Sequence, residues 1–80
     1  MSPAEAQEVK NVLLQSSPEY RELAERHHQL EDRLHEFTDR HYLSSSEQLE
    51  EVTIKKRKLA VKDQMEQIAQ AYARAHGPDS

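Results

Sequence analysis

An all-α fold built on an antiparallel helical hairpin, coiled-coil-like and preceded by a short N-terminal helix, is what this sequence predicts. Two apolar series at heptad spacing and one short serine-rich break between them carry the prediction. Tyr20, Leu23, His27, Leu30, Leu34, Phe37 and His41 follow one another at alternating steps of three and four. Ile54, Lys58, Val61, Met65, Ile68, Tyr72 and Ala75 repeat that alternation. Such spacing puts each series on one face of a helix and makes it a seam for a partner helix. The break over Tyr42–Ser46 is short, which favours antiparallel neighbours.

The elements follow in chain order within one domain over 1–80. A short helix is expected over 3–15. Ser2, Pro3 and Glu5 supply a cap, a proline in the first turn and a carboxylate three residues past the cap. Val9, Val12 and Leu13 mark its apolar side. A helix of about three turns is marginal alone, so it either packs on the hairpin or stays a loosely attached arm. Pro18 pushes Ser17 out of helical geometry, leaving Ser17 to cap a second helix over 18–41. Within it, Glu22–Arg26 and Glu36–Arg40 are spaced for ion pairs worth roughly 0.2–0.5 kcal/mol each. Ser44 and Glu47 form a capping box ahead of a third helix over 45–76, which Gly77-Pro78 ends. The third helix is the longer, so one end must overhang. Leu49, Val52 and Leu59 read as residues beside its seam that widen the apolar stripe. They are the candidate interface.

Composition narrows the function. The hydrophobic share is 35% and the charged share 32%, which suits long helices with one stripe each better than a globular core. Cysteine is absent, so neither disulfides nor thiol chemistry enter. No apolar run is long enough for a membrane span, and together these features lead to the expectation of a cytoplasmic protein. The single glycine, Gly77, leaves no glycine-rich phosphate loop. Ser44–46 are better used as caps than as nucleophiles, and two helices enclose no pocket. No catalytic residue, cofactor or metal is expected, and the chain reads as non-enzymatic.

Three other features have two readings each. The net charge of −4 hides the basic run Lys55, Lys56, Arg57, Lys58, with Lys62 following. It can contact phosphate, acidic lipid or an acidic protein. The favoured reading is a solvated face balanced by Glu25, Glu31 and Asp32 on the neighbouring helix, with Lys58 bringing its charge to the edge of the seam. His28, Asp32 and His35, with Asp39, have spacing suited to a metal, yet a wet, mixed-charge helix face is favoured. His27 occupies a seam position and reads as a structural polar residue that fixes register across the hairpin.

The run Glu51-Val52-Thr53-Ile54-Lys55-Lys56-Arg57-Lys58-Leu59-Ala60-Val61-Lys62-Asp63-Gln64-Met65 resembles the signature of the YdcH-like family: paired lysines, Lys-Leu, an aliphatic, Lys-Asp and Met. Pro18, Tyr20, Leu23, His27, Leu30, Glu31 and Leu34 resemble the family's preceding helix, with Glu31 where aspartate is usual. The resemblance covers about residues 10–72. It implies a small bacterial helical hairpin of unknown function and no activity, cofactor or substrate. The functional expectation is a self-associating coiled-coil protein that mediates protein–protein interaction, most simply as a homodimer with room for a further protein partner. The alternative is a nucleic-acid-associated protein using the basic run.

Overall fold

The computed structural model describes residues 3–76. The cap expected at Ser2 and the stop expected at Gly77-Pro78 lie outside them. Three helices follow in order: α1 (Pro3–Ser16), α2 (Pro18–Thr38) and α3 (Ser45–His76). The dominant packing is α2 against α3, and α1 touches both. The extents of 52 × 23 × 17 Å make the molecule a rod about as long as α3, whose 32 residues rise about 48 Å.

One residue separates α1 from α2. Ser17 is extended, at φ −113° and ψ 108°, as the residue before a proline must be. Its N–H donates to Leu13 O and closes α1, while its O accepts from Arg21 N–H to open α2. Its hydroxyl accepts from Tyr20 N–H at 3.1 Å. Because this joint has no slack, α1 folds back along the hairpin. Leu13 is buried with Tyr20 and Leu23 of α2, so α1 is a packed third helix, and the loose-arm alternative does not hold.

Ion pairs mark the antiparallel register. Arg40 pairs with Glu47, Arg33 with Glu50 and Glu31 with Lys58. Positions descend on α2 as they ascend on α3. Phe37, 2% exposed, is the most deeply buried side chain near the tip, and the guanidinium carbons of Arg33 and Arg40 lie 5.0 and 6.0 Å from its ring centre. Ile54 and Val61 are the buried α3 residues. Met65, Ile68 and Tyr72 are half-buried and Ala75 is exposed.

Helix α2 ends at Thr38 rather than at 41, so His41 leaves the seam and is exposed. The Thr38 hydroxyl donates to His35 O at 2.9 Å, and the amides of Asp39 and Arg40 reach back to His35 O and Phe37 O. These bonds tighten the last turn, and Arg40 then folds over Phe37 to meet Glu47. The expected Glu36–Arg40 pair is therefore replaced: Glu36 binds Arg33 and Arg40 binds Glu47. Glu22–Arg26 does not form among the described residues. At the start of α3 the capping box is present in both directions. Glu47 N–H donates to Ser44 Oγ at 3.2 Å, and Ser44 N–H donates to Glu47 Oε1 at 3.0 Å.

Candidate interaction surface

Leu49 borders the seam, in a cleft with Leu30 and Ile54, while Leu49, Val52 and Leu59 all face largely outwards. At 100° per residue they project about 140–160° away from Ile54, on the back of α3, and are 69, 46 and 60% exposed. The physical reason is the pairing itself: α2 covers the Ile54–Val61 face, and α1 covers a flank nearer the other end of α3. Three large aliphatic side chains are thus left largely uncovered on one strip, which meets α2 only where Leu49 shares a cleft with Leu30 and Arg33. Their positions, with Lys56 between them, follow steps of three, four and three. Helix α3 carries two seams, one used internally and one open. Tyr42 at the hairpin tip, 84% exposed, is a further large apolar surface group that the periodicity did not single out, because it belongs to neither seam.

The basic run is divided by the helix. Lys58 points inward, 28% exposed, with Nζ 3.5 Å from Glu31 Oε1. Lys55 lies 3.9 Å from Glu51 on its own helix. Lys62 shares the Lys55 side, Lys56 lies on the outer strip, and Arg57 points to the opposite flank. Lys56, Arg57 and Lys62 are exposed and stand beyond ion-pair distance of any carboxylate among the described residues. Of the acidic residues expected to balance the run, Glu31 does so. Asp32 turns to His28 at 3.4 Å.

His27 is half-buried, and its Nδ1 lies 3.9 Å from Glu31 Oε2 one turn along α2. It makes no hydrogen bond to α3 among the described residues. Its link across the hairpin is indirect, through the Glu31 carboxylate shared with Lys58. Direct register contacts come from the Arg33 guanidinium, which reaches both Glu50 oxygens at 2.8 and 3.2 Å. Hydrogen bonds to Glu36 and then Glu50 hold the Arg33 pKa above its ordinary value. Burial raises that of the Tyr20 phenol. The metal arrangement considered at His28, Asp32, His35 and Asp39 is not assembled. Among the described residues no group of three or more such side chains is placed to hold an ion. No described helix is long and apolar enough to cross a membrane.

These features define an all-helical protein with a hairpin-like core and an uncovered outer face. Residues 21–69, more than half of the chain, match the family described as a protein of unknown function, DUF465, and the chain belongs to that family. The match covers most of the hairpin and leaves α1, Pro18, Tyr20 and the end of α3 from residue 70 outside it, a narrower range than residues 10–72. No curated protein and no solved structure matches the chain.

Proposed function

We propose that this protein is a non-catalytic, self-associating helical hairpin that mediates protein–protein interaction through the back of α3. The cytoplasm is the compartment that goes with this reading, and the likeness to YdcH-like proteins is consistent with it. The observation that carries it is the exposed strip of Leu49, Val52 and Leu59, at heptad-type spacing on one helix. Aliphatic side chains so arranged gain free energy when a second helix covers them. A second copy is the simplest cover, since two-fold homodimers are the commonest assemblies. The strip is short, three side chains over about 15 Å along α3, whereas a standard stable interface takes about 20–30 residues a side. The dimer is therefore weak and concentration-dependent.

Replacing Leu59 by Asp tests the assignment. Burying the exposed 60% of this side chain contributes about 1–2 kcal/mol per copy, or about 2–4 kcal/mol per dimer. Loss of that amount shifts the dimerisation midpoint by roughly 30- to 1000-fold, while helicity is retained because Leu59 touches little within the monomer. An unchanged midpoint sinks the interface.

A second reading rests on Lys56, Arg57 and Lys62, which have no carboxylate partners among the described residues. On it the protein contacts nucleic-acid phosphates. Binding of RNA or DNA that weakens with salt and disappears on neutralising Lys55, Lys56 and Lys62 supports it; no binding at low salt removes it. The splitting of the run around α3 favours the first reading.

A further inference from the structure

A two-helix hairpin has two grooves, one on each side of the contact line. In this protein α1 packs along one, with Ala6 lining a cleft shared with Ala69 and Ala73 of α3. Gln64 and Ala73 are nine residues apart and point about 180° from each other around α3. On the Gln64 side the second groove is open. Leu30, Ala60 and Val61 line it together with Arg26 and Arg57. It continues past Arg33 and Leu49 towards Ser46, a length of about 27 Å along α3.

The charges of this groove are one-sided. Arg33 is engaged by Glu36 and Glu50, and Glu50 is thereby occupied. Arg26 and Arg57 are exposed and have no carboxylate within ion-pair distance among the described residues. Two guanidinium forks flanking a half-buried leucine suit carboxylates next to an aliphatic stripe. No aromatic side chain lines the groove, so it offers nucleic-acid bases no stacking platform. A trough that runs along two helices accepts a third in the helix-in-groove manner, and the occupant here would complete a four-helix arrangement.

We propose that this open groove is a docking site for an acidic amphipathic helix of about 18 residues from a partner protein, its aliphatic stripe on Leu30, Ala60 and Val61 and its carboxylates on Arg26 and Arg57. The groove meets the Leu49–Val52–Leu59 strip only at Leu49; the docking residues Arg26, Leu30, Arg57, Ala60 and Val61 are not part of that strip. The docking site stands or falls independently of self-association.

The test is an NMR titration of the ¹⁵N-labelled full chain with three probes. They are an 18-residue helical peptide with leucine on one face and glutamate beside it, the same peptide with lysine for glutamate, and a 12-nucleotide oligouridine. The expected result is that the leucine–glutamate peptide shifts the amides of Leu30, Ala60 and Gln64. Its affinity falls at least tenfold in the Arg26→Glu/Arg57→Glu variant, whose melting curve verifies folding, and is kept in Leu59→Asp. Equal binding of the lysine peptide overturns the proposal, as does a shift map confined to other surfaces or no binding at millimolar peptide. Stronger perturbation of the same amides by oligouridine also overturns it and assigns the groove to phosphate.

Discussion

Phe37 is the residue on which the closed end of the hairpin most depends, and Phe37→Ala measures that dependence. The ring is 2% exposed. Emptying such a site costs about 3–5 kcal/mol, combining lost transfer free energy with the cavity left behind. Two guanidinium contacts at 5.0 and 6.0 Å add about 0.5–1 kcal/mol each, part of which the arginines recover through their carboxylates. An 80-residue chain has a total stability of about 4–12 kcal/mol on the usual per-residue scale. The substitution therefore removes a large fraction of it. At about 4–8 °C per kcal/mol for a chain of this size, the midpoint of thermal unfolding followed by helical circular dichroism falls by at least about 12 °C. Phe37→Leu keeps most of the apolar volume and loses the ring face, so its cost is about 1–2 kcal/mol. A loss below 1 kcal/mol for Phe37→Ala would refute the reasoning. It would mean that the ion pairs around Arg33 and Arg40 hold the tip by themselves.

Three other outcomes follow from particular contacts. Ser17→Ala removes the hydroxyl that accepts from Tyr20 N–H and should cost about 1 kcal/mol in a denaturant titration, with Ser17→Gly milder. A double-mutant cycle on Arg33 and Glu50 should return a coupling of less than about 1 kcal/mol, because both side chains are nearly half exposed and solvent screens them. Burial raises the Tyr20 pKa above the ordinary 10.0, so the folded state holds that proton longer than the unfolded one. Stability is then unaffected below about pH 10 and falls as pH rises from there towards the folded-state value. Urea unfolding at pH 9 and 11 checks this, and Tyr20→Phe should flatten the dependence.

Much of the fold was legible because it rests on local rules. Tyr20, Leu23, Leu30, Leu34 and Phe37 kept a three–four rhythm that only a helix satisfies. Ser17-Pro18 and Ser44 with Glu47 placed the helix starts through backbone bonds that the structure contains. The misplacements arose at a helix end and in the packing. His41 continued the rhythm, but the bonds from Thr38, Asp39 and Arg40 back to His35 O and Phe37 O closed the helix before it. Leu49, Val52 and Leu59 were visible as apolar, yet their place behind α3 depends on which face α2 takes. The open groove was not legible, since which of the hairpin's two grooves stays uncovered depends on where α1 packs. The spread of the basic run follows from helix geometry alone: Lys55 to Lys58 are contiguous along the chain but diverge around the helix.

Sedimentation equilibrium of the unmodified protein from micromolar to millimolar concentration tests the central claim most directly. The account predicts a reversible monomer–dimer equilibrium whose dimer fraction rises through that range. A single monomer mass at every concentration would contradict self-association and leave the back of α3 to a different protein.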